Sequence, residues 1–226
     1  MSFIKASLII LVLTFAVLAQ GEQAPIVERE FEYKDWTLKN IDGGETNLRS
    51  FAQGKKLVMV VYWAPWCLNW NHDAAFVEEL HQKYSKDGLS IIGVGLYDPV
   101  TSMKRHQRGA KLTFPSVYDS TALTERLTSD HYNRRRAAGD NRKWGTPWYV
   151  FLEPDKLLKG GDVLATKVPV VNGELIRPEA EKFIREKLGL ASSSAAPGGL
   201  AKRFEAAPLA KTRLSFEVEI LGLPGR

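Results

Sequence analysis

At 226 residues with 44% hydrophobic content, the chain can build one well-buried domain with extensions, and nothing in it requires two. The formal charge of +5 comes from Lys and Arg scattered mostly among acids, without a helix-turn-helix, zinc-finger or RNA-recognition pattern, so nucleic acid is not an expected partner. A single cysteine excludes an internal disulfide and a multi-thiolate metal centre.

The chain opens with Lys5 and then fourteen uncharged residues, Ala6 to Ala19, closing on the small-residue pattern Val17-Leu18-Ala19. That reads as a signal peptide over residues 1–20, since the apolar core is short for a membrane span of about 20 residues. An uncleaved N-terminal anchor is the alternative and the one route to a membrane, and no cysteine follows to make a lipobox. In an exported protein, one cysteine is either a buried inert thiol or one that meets partners from outside the chain.

Beyond the leader, Phe31, Tyr33, Trp36 and Leu38 alternate with polar residues, and Asp42-Gly43-Gly44 offers a turn before Leu48 and Phe51, the pattern of a hairpin. The seven apolar residues Leu57 to Trp63 predict a buried central strand. After Ala64-Pro65-Trp66-Cys67, the residues Phe76, Val77, Leu80 and Tyr84 share one helical face, and Asp87-Gly88 stops that helix. A second apolar strand runs from Leu89 to Leu96. Pro99 opens a polar helix with Met103 and His106, and Phe114-Pro115 leads through Asp119 to a helix holding Leu123 and Leu127. Residues 128–143 form a polar insertion with five basic residues against two aspartates, a formal +3. Trp148 to Leu152 reads as a strand, Lys167–Val171 and Glu174–Ile176 as a hairpin around a type I′ Asn172-Gly173 turn, and Pro178 to Leu188 as a last helix stopped by Gly189. From Ala191 a Ser, Ala, Pro and Gly linker leads to a basic tail over 191–226, where Leu214, Phe216, Val218 and Ile220 alternate as an edge strand would.

Two of these pieces carry a resemblance. Trp63-Ala64-Pro65-Trp66-Cys67 at a strand-to-helix junction, together with Gly145-Thr146-Pro147 before an apolar strand, resembles the active-site turn and cis-proline loop of the thioredoxin superfamily, nearest to exported TlpA-like thiol-disulfide oxidoreductases of the bacterial envelope. The resemblance implies an α/β thioredoxin-like fold over 26–190, with a central mixed sheet flanked by helices, an N-terminal hairpin and a flexible C-terminal tail. It implies no cofactor. The departure is Trp70, which stands where the family has its second active-site cysteine, so the usual internal disulfide cannot form.

The chemistry then centres on Cys67. At a helix start the first-turn N–H groups and the helix dipole favour a thiolate, and with no resolving thiol the chain could carry only monothiol exchange, on envelope protein thiols or disulfides or with a small external thiol. Asp73, at an offset where TlpA-like proteins of the cytochrome-maturation type carry an acid, is a candidate to move protons to or from Cys67, or a solvated first-turn aspartate. Trp66, Trp70 and Trp148 are candidates for an aromatic substrate platform, or for covering apolar surface. Thr146 and Pro147 would offer backbone groups to an extended substrate. Arg134, Arg135, Arg136, Arg142 and Lys143 read as a solvated loop or as cations that lower the thiol pKa or hold an anion beside Cys67, with Arg134, Arg135 and Arg136 the candidate anion site. A peroxiredoxin-type peroxidase would need Thr or Ser three residues before the cysteine, where this chain has Ala64. The alternative to exchange is a redox-inactive module that holds extended peptides in the groove of Trp66, Trp70 and Pro147.

Overall fold

The computed structural model describes residues 23–190. The leader expected over 1–20 and the linker, tail and alternating stretch expected over 191–226 lie outside the described residues.

The apolar run Leu57 to Trp63 forms strand β5 (Leu57–Trp63), buried at all seven positions. Its continuous hydrophobicity has a direct cause: successive side chains of a strand point to opposite faces, and here both faces are covered. Met59, Val61 and Trp63 enter one core with Phe76, Val77, Leu80, Ile91, Tyr149 and Phe151. Val58, Val60 and Tyr62 enter the other with Ile92, Val94, Trp148 and Val150. Each such side chain removed from water contributes about 1.5–3 kcal/mol, which makes β5 the anchor of the domain.

Around it the chain contributes β1 (Gln23–Ala24), β2 (Val27–Lys34), β3 (Thr37–Asn40), β4 (Glu45–Asn47), α1 (Leu48–Ala52), α2 (Leu68–Tyr84), β6 (Leu89–Gly95), α3 (Val100–Gly109), β7 (Ser116–Tyr118), α4 (Asp130–Ala137), β8 (Trp148–Leu152), β9 (Val163–Val171), β10 (Glu174–Leu175) and α5 (Arg177–Lys187). The main sheet has eight strands in the order β2-β9-β8-β5-β6-β7-β3-β4. It is mixed, with β6 parallel to β5 and β8 antiparallel to it, and helices cover both faces, as the sequence predicts.

The N-terminal hairpin forms, β3 pairing with β4 across the Asp42–Gly44 turn, but its first strand starts at Thr37, since Phe31 and Tyr33 belong to β2, which pairs with β9 at the opposite edge of the sheet. Two local expectations are corrected. The 167–176 hairpin does not form. Neither Asn172 nor Gly173 adopts the left-handed conformation of a type I′ turn, and β10 leaves β9 to pair in parallel with β1. The segment with Leu123 and Leu127 is a short 3-10 helix, Leu123–Leu127, with both leucines exposed. Helix stops are as expected: Gly88 and Gly189 hold φ of +112° and +71°.

Candidate active site

Cys67 is the residue at which β5 becomes α2. Pro65 and Trp66 make the turn, the Cys67 amide donates to the Ala64 carbonyl at 3.0 Å, and the Cys67 carbonyl accepts the first helical bond from Asn71 at 3.0 Å. Cys67 is thus the N-cap of α2, but its side chain does not cap. The thiol turns away from the helix N–H groups and donates to the Thr146 carbonyl at 3.3 Å. That bond brings two motifs 79 residues apart in sequence together at the sulfur, and Thr146–Pro147 is a cis peptide bond. Cys67 is 8% exposed. It reaches solvent through a cleft of about 260 Å³ whose lining includes Trp66, Leu68, Arg142, Lys143, Trp144 and Thr146.

Trp66 is 38% exposed at the mouth of this cleft and meets Trp144 edge-on, ring centroids 5.0 Å apart. Trp70 and Trp148 do not join it, which corrects the three-tryptophan platform. Trp70 is fully buried, packs on Trp63 at 5.8 Å and donates its indole N–H to His106 Nε2 at 2.9 Å. Burial holds His106 below the usual imidazole range, which keeps Nε2 available as that acceptor. Trp148 is buried on the other face of the sheet, 4.8 Å from Tyr62. A groove of Trp66, Trp70 and Pro147 is therefore not present at the surface.

Asp73 is also inside, not solvated on the first turn. Trp70, Asp73, Val77, Leu80 and Tyr84 form one buried stripe of α2, and that three-and-four spacing was the signal that both residues point inward. The Asp73 carboxylate accepts from the Tyr149 hydroxyl at 2.6 Å and from the Leu175 amide at 2.8 Å. Burial raises its pKa, opposed by these two bonds. Tyr149 is pushed well up by burial, then by the charge at Asp73, to which its hydroxyl is bonded.

The insertion of residues 128–143 is not a bare cationic loop, because it contains α4. Ser129 caps that helix by accepting from the Tyr132 amide at 3.2 Å. His131 and Arg135, four residues apart, face inward. The His131 amide donates to Asp119 at 3.0 Å, and its Nδ1 bonds the Tyr97 hydroxyl at 2.8 Å. Arg135 is 1% exposed and donates to the carbonyls of Asp140, Arg142 and Lys143, at 3.1, 2.8 and 3.4 Å. A Cβ at Gly145, whose φ is +67°, would lie 2.3 Å from Arg135 Cδ, so only glycine lets the loop come this close. Arg142 pairs with buried Asp140 at 2.8 Å and donates to the Pro147 carbonyl at 2.8 Å. These contacts tie α4 to the cis-proline loop.

The expected anion-binding trio is corrected by the same geometry. Arg135 is consumed by backbone carbonyls, Arg134 pairs with Asp130 at 3.3 Å, and Arg136 donates to the Asn141 side chain. None of the three lines the Cys67 cleft, and the cations that do are Arg142 and Lys143. Arg142 and Lys143 belong to the basic set the insertion offers, whereas Trp144 and Tyr149 carry no motif of their own; their signal is adjacency, since Arg142-Lys143-Trp144 runs directly into Gly145-Thr146-Pro147 and Tyr149 follows two residues later. Among the described residues no group of three or more His, Cys, Asp or Glu side chains is arranged to hold a metal ion.

A family model described as the AhpC/TSA family matches residues 31–147, more than half of the chain and a span that contains Cys67 and ends at Pro147. The chain belongs to the AhpC/TSA family. This AhpC/TSA-family chain is 31% identical to the thiol-disulfide oxidoreductase ResA of Geobacillus kaustophilus over 85 residues, which is 38% of the chain and 48% of that protein. It is 29% identical to the thioredoxin-like protein YneN of Bacillus subtilis over 109 residues, 47% of the chain and 57% of that protein. The chain thus spans about half the length of the curated relatives it matches. Among solved structures it is similar to a thioredoxin-family thiol:disulfide interchange protein of Chlorobium tepidum, with TM-score 0.52 and 15% identity over 71% of this chain and 98% of that one. That likeness shows the fold: the AhpC/TSA-family domain has the thioredoxin fold, and its TlpA-like resemblance holds. Among the described residues no helix is long and apolar enough to cross a membrane.

Proposed function

We propose that the chain performs thiol–disulfide exchange with Cys67 as its only nucleophile. The observation that carries the reading is the sulfur's place: at the head of α2, on the floor of an open cleft, 3.3 Å from the carbonyl before the cis proline. The Cys67 thiolate attacks one sulfur of a partner disulfide, a new S–S bond forms, and the partner's other sulfur leaves as a thiolate that takes up a proton. With Trp70 in place of a second cysteine, an external thiol must attack the mixed disulfide. It releases the partner's sulfur or regenerates Cys67, and the external thiol pair is what is oxidised over a cycle. In this reading Asp73, bonded to the Tyr149 hydroxyl in the interior, is the group that accepts and returns the thiol proton. Ala64, buried beside the turn, leaves no hydroxyl for peroxide chemistry three residues before the cysteine. The expected leader supports action outside the cytoplasm, on thiols of the cell envelope.

The 8% exposure of Cys67 favours one competing reading, a redox-inactive module that has kept the fold to bind partners. Mass spectrometry of the reduced protein after exposure to hydroxyethyl disulfide separates the two. Exchange gives a single adduct on Cys67 that added thiol removes, absent in Cys67→Ser and formed with an altered pH profile in Asp73→Asn. A sulfur that stays unmodified in the folded protein would leave the binding module, and an unchanged profile in Asp73→Asn would remove Asp73 from the proton step.

A further inference from the structure

Among the described residues five large apolar side chains are strongly exposed, and two of them, Trp66 and Leu68 at 38% and 72%, are the neighbours of Cys67 on either side. Folding gains nothing from leaving them in water, and an apolar pair astride a reactive sulfur is suited to a partner's surface. The rest of the cleft is cationic. Its lining holds Arg142 and Lys143 and no carboxylate, in a chain with 26 acidic residues. Trp144 forms its wall and carries two cations on its ring, Arg126 at 5.2 Å and Lys143 at 5.7 Å. Arg126 is fixed there by donating to the Lys143 carbonyl at 3.0 Å. Asp140, which holds the cleft's Arg142, is itself buried and pairs with Arg142 and Arg135. Lys143 is exposed and, among the described residues, neither it nor Arg126 is in an ion pair.

We propose that the Cys67 cleft selects a disulfide carried on an acidic peptide segment, with Lys143 and Arg126 meeting carboxylates next to the reacting cysteine and Trp66 and Leu68 packing on its neighbours. This rests on the exchange reading above and adds the class of partner. The step is the same: Cys67 S–S bond formed, partner S–S bond broken, one peptide thiolate released. The cations act on encounter and on the mixed disulfide by opposite charge at short range, an effect that salt screens.

The test uses three blocked tripeptides, Glu-Cys-Glu, Ser-Cys-Ser and Lys-Cys-Lys, each as its symmetric disulfide, and follows mixed-disulfide formation on the full-length reduced protein. Lysines lower the pKa of the departing thiol, so a plain thiol reacts faster with the Lys peptide than with the Glu peptide; β-mercaptoethanol measured alongside supplies that reference. The protein should reverse the order, preferring the Glu peptide by roughly tenfold relative to the reference. The preference should collapse in ~0.5 M salt, where the Debye length falls to a few ångströms, and should invert in the Lys143→Glu, Arg126→Glu double variant. The salt arm needs no variant and so does not depend on the substitutions folding. If all three peptides react in the reference order, the acidic-partner proposal is overturned while exchange stands. If none reacts until the protein is unfolded, the exchange reading fails and this proposal with it.

Discussion

Arg135 illustrates how a residue type can mislead when read one at a time. A run of three arginines in a polar stretch reads as a solvated cationic surface, yet the middle one is sealed in the interior with its guanidinium spread over three carbonyls of the loop that leads to Thr146 and Pro147. Guanidinium suits this role because its donors fan out in one plane, which a lysine ammonium cannot imitate. Replacing it leaves Asp140, 1% exposed, short of one buried partner and orphans the carbonyls. Arg135→Ala should therefore cost roughly 3–5 kcal/mol in urea unfolding, and Arg135→Lys should recover little of it; a loss under 1 kcal/mol would show that the loop is held by other contacts. Trp70 and Asp73 give the same lesson from the other side. Trp70 covers apolar surface, the plainer of its two readings, and Asp73 is buried where the alternative to a proton carrier is a solvated aspartate; the spacing of both with Val77, Leu80 and Tyr84 places them on the buried stripe of α2.

At the scale of elements, what was legible had strong local causes. The unbroken apolar run of β5 needs two covered faces, the stripe of α2 needs one, and glycine stops at Gly88 and Gly189 need left-handed backbone. What was missed depends on partners far away in sequence. The β10 segment chooses β1 over β9, and β2 and β3, though adjacent in sequence, go to opposite edges of the sheet. Helix α4 was hidden because its short apolar content gives no stripe; its inward residues are His131 and Arg135, which periodicity of hydrophobic residues does not count. Burial, with Arg135 next, holds His131 well below the ordinary imidazole range. The unfolded chain's histidine takes up a proton near pH ~6.5 and the folded one does not, so this contribution is whole above that pH and is lost as the pH falls beneath it, with a slope of at most ~1.4 kcal/mol per pH unit. Asp73 and Asp119, both raised by burial, act with the opposite sign, binding protons more readily when folded. Urea titrations at stepped pH on the wild type and His131→Phe separate these effects. The variant, whose ring can still lie on Tyr62, should show a shallower fall below pH ~6.5, and parallel curves would mean that His131 titrates in the folded state.

For the whole molecule, the domain brings two distant motifs to one sulfur and then adds material of its own: Trp70 bonded to His106 in the interior, and the loop after α4 along the cleft. The first was legible from the Trp66-Cys67 and Thr146-Pro147 motifs. The second was legible only as composition, a cationic stretch, because which arginines turn inward is set by how α4 packs against Tyr97, Asp119 and the cis-proline loop. To act as a nucleophile, Cys67, though only 8% exposed, must meet reagents through its cleft without the domain opening. The rate of Cys67 alkylation by iodoacetamide, followed in increasing urea well below the unfolding transition, tests that most directly. Reaction through the cleft gives a native-state rate that stays flat across those urea concentrations and vanishes in Cys67→Ser. A rate that instead climbs with urea in step with the unfolded fraction would mean that the sulfur is reached only from the unfolded chain, which contradicts a working thiol in the native domain.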